Sequence, residues 1–121
     1  MRRHRLPTAA LAATLAVAVA APALAHTEVH SRSPGKGKSV SRSLSGVKVT
    51  FDGRIRRGTL SVKKVGGGKV SIGSGARDPR NVKRLAVKLK SGLGAGKYKA
   101  SWKMIADDGH EQSGSWTFKL K

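Results

Sequence analysis

Lys97-Tyr98-Lys99-Ala100-Ser101-Trp102-Lys103-Met104 sets an apolar residue at every second position. Successive side chains of a strand point to opposite faces, so this period of two predicts a half-buried strand with Tyr98, Ala100, Trp102 and Met104 inward. Ser115-Trp116-Thr117-Phe118-Lys119-Leu120 repeats the pattern, with Trp116, Phe118 and Leu120 on one face. Working outward, Val47–Phe51, Thr59–Lys63, Lys69–Ile72 and Arg84–Lys90 also read as strands. Val29 and Val40 are expected to pin a short edge strand. Asp52-Gly53, Gly66-Gly67-Gly68 and Gly92–Gly96 punctuate these segments as turns, and Gly73 to Pro79 reads as a loop. No stretch after residue 25 keeps a helical period. Six or seven short strands in a chain of 121 residues predict an all-β fold, a single β-sandwich domain of about seven strands.

Residues 1–25 read differently. Met1-Arg-Arg-His-Arg5 is a basic start, Leu6 to Ala25 carries no charge, and the segment ends Ala23-Leu24-Ala25. That is the pattern of an export signal cut between Ala25 and His26. The domains are therefore 1–25, a signal peptide, and 26–121, the folded domain of an exported protein, periplasmic or extracellular.

Composition excludes several chemistries. There is no cysteine, so disulfides, thiolate metal sites and cysteine nucleophiles are ruled out. The chain has 25 Lys and Arg against 6 Asp and Glu. Removing residues 1–25 takes away three arginines and no acid, leaving a net charge of +16. Arg84, Lys88, Lys90, Lys97, Lys99 and Lys103 fall on outward positions of two strands, where lysine on sheet edges discourages aggregation. Gly92–Gly96 leads into a strand, not a helix, so it is not a phosphate loop. The aromatic residues lie on apolar faces, which argues for core packing over base stacking.

Asp108-Gly109-His110 lies between the two best strands. In an extended segment, residues two apart point to the same side, so the carboxylate and imidazole would face one point. A cut before His26 would add an α-amine and a second imidazole. The set would then be one amine, two imidazoles and one carboxylate, and sulfur-free N,O donors favour Cu(II). Met104 is the one methionine after residue 25, too few for a thioether Cu(I) site.

These features together resemble the CopC family of exported copper-binding proteins. The resemblance rests on Ala25-His26 at the signal boundary, Ser33-Pro34-Gly35, and the strand Val47–Phe51. It is strongest at Gly96, Tyr98, Trp102, Ala106, Asp108-Gly109-His110, Gly114 and Phe118. It implies an immunoglobulin-like Greek-key sandwich, a monomer that binds Cu(II) in copper resistance or homeostasis as a carrier or buffer and not as an enzyme. The implied ligands are His26, Asp108 and His110. Family members usually carry Glu two residues after the strand Phe, where this chain has Gly53, so Asp52 becomes the candidate for orienting groups around the metal. His30 is an extra histidine that could offer an alternative ligand. A membrane copper transporter is a candidate partner, and no specific nucleic acid is expected. Two other readings stay open: a copper oxidase built on the N-terminal histidine, and a basic module for anionic polymers.

Overall fold

The computed structural model describes residues 12–13 and 27–121. The signal boundary at Ala25, and His26 itself, lie outside the described residues. Eight strands follow in order: β1 Val29–Ser33, β2 Ser39–Val40, β3 Gly46–Phe51, β4 Ile55–Lys64, β5 Ser71–Asp78, β6 Asn81–Leu89, β7 Gly96–Ala106 and β8 Glu111–Leu120. They form two four-stranded sheets, ordered β1-β3-β6-β5 and β2-β8-β7-β4. All pairs are antiparallel except β2 with β8. Among the described residues there is no helix.

The period of two governs the core. Val47, Val49 and Phe51 of β3 and Leu85, Val87 and Leu89 of β6 are buried against Leu60 and Val62 of β4, Tyr98, Ala100 and Met104 of β7, and Trp116, Phe118 and Leu120 of β8. Each of the larger side chains contributes roughly 1.5–3 kcal/mol on full burial. Tyr98 and Phe118 are stacked with centroids 6.0 Å apart. The Tyr98 hydroxyl donates to the Gly94 carbonyl at 2.7 Å, which satisfies its one polar atom. The Trp116 indole N–H donates likewise to the Pro34 carbonyl, 2.9 Å away.

Trp102 is only half-buried. It meets Phe51 edge-on, with centroids 4.8 Å apart. A Cβ at Gly114 would come within 2.6 Å of the Trp102 ring, so the bare backbone of Gly114 is what lets the indole lie across β8.

Three sequence expectations need correction. The eight strands agree with the all-β sandwich of about seven, but Val29 and Val40 belong to separate edge strands, one in each sheet, and not to one. The segment from Gly73 to Asp78 is strand, not loop. Gly73 and Gly75 adopt positive φ (70° and 63°), and the β5–β6 register shifts between Ile72 and Ala76. Those kinks erase the alternation without ending the strand. At Gly75 a Cβ would stand 2.9 Å from the Leu60 carbonyl of the other sheet, so glycine there permits close approach of β5 to β4. Finally, Lys69–Ile72 is not one strand: β5 begins only at Ser71, in the other sheet from β4. Lys63 bridges Lys69, then the chain crosses at buried Ser71, whose hydroxyl accepts from the Val62 N–H at 3.0 Å.

Candidate metal centre

Asp108 and His110 sit in the loop that joins β7 to β8. The pairing of Ile105 with Glu111 closes the hairpin. Above it the Ala106 N–H donates to the His110 carbonyl and the Gly109 N–H to the Ala106 carbonyl, both at 2.9 Å. Gly109 has φ +87°, a conformation that other residues rarely adopt. The loop is also tied to the start of β4. The Asp107 N–H donates to the Arg54 carbonyl at 3.2 Å, and Arg56 Nη2 donates to the Asp107 carbonyl at 2.7 Å.

The two side chains do face each other, but for a different reason from the one expected. The segment is a turn and not extended. Asp108 Oδ1 accepts the His110 backbone N–H at 2.9 Å, and Asp108 Oδ2 lies 2.9 Å from His110 Nδ1. A carboxylate only accepts, so Nδ1–H is the donor in this contact, and in the neutral imidazole Nε2 then keeps its lone pair. That is the arrangement in which an acid orients a histidine for a metal at the other ring nitrogen. Both side chains are solvent-accessible.

Asp108 also lines an open cleft with Thr27, Gly53, Arg54, Ala106 and Asp107. Thr27 follows His26 in sequence. A Cβ at Gly53 would come within 2.9 Å of Thr27 Oγ1, so the missing side chain at Gly53 is what admits Thr27 to the cleft. Among the described residues, no cluster of three or more His, Cys, Asp and Glu could hold a metal. Asp108 and His110 are therefore two candidate donors, and a metal site built on them would need more from elsewhere.

Asp52 and His30 form a second pair. His30 Nδ1 lies 3.1 Å from Asp52 Oδ1, and the two line a different depression with Thr50, Phe51 and Lys83. Both side chains are more than half exposed. Met104 is 1% exposed in the core, out of reach of a solvent-borne ion.

Two contributors escape a reading of residue order: Arg56, which reaches the loop from β4, and Thr27, which lines the cleft beside Gly53. Nothing in the local sequence signals them, because each acts across a strand pairing or a sheet edge.

Known proteins share this architecture. The CopC domain model matches residues 29–121. Protein YobA of Escherichia coli K12 is 25% identical over 99 residues, covering 80% of each chain, and YobA of Shigella flexneri matches equally. Among solved structures, CopC from Methylosinus trichosporium OB3b superposes with a TM-score of 0.67 at 22% identity, over 79% of this chain and 94% of that one. PcoC, a methionine-rich copper resistance protein from Escherichia coli, gives 0.64 at 20% identity, over 80% of this chain and 100% of that one. At these identities the superpositions speak for the fold, and the domain match carries the family: the chain belongs to the CopC family.

Proposed function

We propose that the chain is exported, cut between Ala25 and His26, and binds Cu(II) as a carrier or buffer without catalysing a reaction. Family membership supports a copper-related function. The observation that carries the finer reading is that Thr27, one residue after His26, lines the same cleft as Asp108, which in turn contacts His110. A free amine at His26 would add the α-nitrogen and the imidazole Nδ1, which can chelate one ion together. His110 Nε2 is the third nitrogen.

Asp108 has two ways to serve. It can hold His110 Nδ1–H and orient the ring, or release that hydrogen bond and give one oxygen to the metal. A carboxylate ligand beside three nitrogens fills the square plane that Cu(II) prefers. Burial of Met104 removes the only soft donor after residue 25, so Cu(I) gains nothing comparable. Asp52, paired with His30 across a different depression, is proposed as an outer group that influences the centre through its charge.

The test compares Cu(II) affinity of the chain beginning at His26 with one carrying a single extra residue before it. An unchanged affinity rejects the amine chelate. Mass spectrometry of the exported protein checks the cut itself.

A further inference from the structure

Lysine at sheet edges is an ordinary defence against aggregation. That explanation fails for Lys99, because β7 lies inside its sheet between β8 and β4. The register shows what these lysines do instead. Lys69 is paired with Lys63, and Lys63 is directly opposite Lys99, so three lysines form one rung across three adjacent chain segments. Thr117 continues the rung on β8, and Lys97 and Lys119 are opposite one another in the next. Residues directly opposite share a face, and like charges there repel. Ser61, Ser101 and Ser115 form the rung on the other side, adding hydroxyl donors.

No side-chain carboxylate on these strands stands beside these lysines. Of the acids, only Glu111 belongs to this sheet, and it stands at the far end, 3.4 Å from Lys103. Lys36 and Lys38 are exposed beside β8, where the Gly37 N–H donates to the Thr117 carbonyl and the Lys119 N–H to the Lys38 carbonyl. The result is a patch about 14 Å across, taking three strand spacings. It carries ammonium and hydroxyl groups and lies at the end of the sheet remote from Asp108.

We propose that this face binds a linear polyphosphate, a chain of phosphates without bases. A row of ammoniums with a strand-scale spacing matches a chain of phosphates better than one small anion. The aromatic residues Tyr98, Trp116, Phe118 and Phe51 are buried, and half-buried Trp102 is engaged edge-on with Phe51, so this face offers no row of aromatic rings on which to stack bases. Ile105, at the far end of the face, is half-buried, and Val65, whose N–H donates to the Lys97 carbonyl, is a single exposed apolar side chain, so little apolar surface is offered to a bilayer. The polyanion is recognised by charge and hydrogen bonding, without sequence, and it leaves the Asp108–His110 loop open at the opposite end.

The probe is inorganic polyphosphate, titrated calorimetrically into the chelator-treated protein at several salt concentrations. Lys63→Gln/Lys99→Gln is expected to weaken binding at low salt at least about tenfold. It should also lower the log–log salt slope by about 1.4, at roughly 0.7 for each phosphate no longer neutralised. Lys48→Gln/Lys88→Gln, on the other sheet with the same net charge, is expected to weaken it less than about threefold. Equal losses in the two doubles overturn the proposal, since net charge alone would then suffice. Amide shift mapping locates the binding face on the wild-type protein. Perturbations centred on Lys63, Lys99 and Thr117 support the proposal, and perturbations centred on β3 and β6 overturn it. A charge-matched single-stranded oligonucleotide that binds more than about tenfold tighter than polyphosphate makes the ligand a nucleic acid and overturns the assignment. So does rung-dependent binding to phosphatidylglycerol vesicles with no binding of polyphosphate.

Discussion

The two ends of the sandwich are charged by different rules. At one end, β3 turns into β4 and β7 into β8; here and on the flanking β1 and β5–β6 segments lie Glu28, Asp52, Asp78, Asp107, Asp108 and Glu111, all six carboxylates of the chain. Three basic groups there have partners close by: Arg84 with Asp78, Lys103 with Glu111, and Arg56 with the Asp107 backbone carbonyl. At the other end, β7 begins and β8 stops, and Lys63, Lys69, Lys97, Lys99 and Lys119 face one another without an acid. The length of β7 separates them: Lys99 to Ala106 spans about 24 Å at 3.4 Å per residue, beyond two Debye lengths in physiological salt. The difference bears on how a cation approaches. A strongly basic protein repels a divalent cation unless acids stand where it must land, and Asp107 and Asp108 stand in the loop that also carries His110.

The contrast between the ends is easiest to break at the one that carries the acids. Adding one residue before His26, or making His110→Ala, is expected to lower Cu(II) affinity more than about 100-fold, which exceeds what orienting groups alone supply. Equilibrium competition with a chromophoric chelator reads this. Lys63→Gln/Lys99→Gln should leave the same affinity unchanged within about twofold at 0.15 M salt, because the charges removed lie beyond the screening distance. Coupling between the ends at that salt would mean that the two regions are not independent.

Asp108→Asn sharpens the role of the acid. The amide can still accept the His110 backbone N–H but loses the charge. An affinity decrease of about 10–100-fold is expected if the acid chiefly orients the imidazole. A larger decrease, with a changed Cu(II) electron paramagnetic resonance spectrum, makes it a direct ligand. Acidification should release copper in either case, since protons compete for the amine and both imidazoles.

Between the ends, Gly58 tests whether the loop depends on the frame beneath it. A Cβ there would meet the Lys103 carbonyl at 2.7 Å and Leu85 Cδ2 at 2.8 Å, and a backbone oxygen cannot step aside. Gly58→Ala should cost about 1–3 kcal/mol in denaturant unfolding. Retained copper affinity in the folded fraction would show that the loop holds its shape by its own hydrogen bonds.

Much of this is legible in residue order. Alternation alone places Tyr98, Ala100, Met104, Trp116, Phe118 and Leu120 inward, and they are buried. Alternation fails where glycine replaces it: Gly73 and Gly75 bend β5 and hide its period. Asp108 and His110 can be picked out because a turn motif sits between two clear strands. Their mutual geometry cannot, since it depends on Gly109 in the left-handed region and on an aspartate that caps a backbone N–H. The lysine rung is the least legible feature. Lys63, Lys69 and Lys99 do not form one run in the sequence, and only the β4–β7 register and the Lys63–Lys69 bridge align them. Charge counts show that repulsion exists somewhere, and pairing decides where it is concentrated.

The smallest expected effect measures that concentration directly. Lys63 faces Lys69 on one side and Lys99 on the other, whereas Lys48, on the opposite sheet, faces Ser33 and Ala86. Lys63→Gln removes a charge from between two like charges and should raise stability by about 0.2–1 kcal/mol at low ionic strength. Lys48→Gln, an ordinary surface change, should stay within about 0.5 kcal/mol of wild type. The difference should vanish near 1 M salt, where the Debye length is about 3 Å. Thermal unfolding of the two variants across a salt series separates the cases. A Lys63→Gln protein no more stable than Lys48→Gln at low salt would mean that the rung ammoniums splay apart in solution, and the charged face would then be diffuse rather than built.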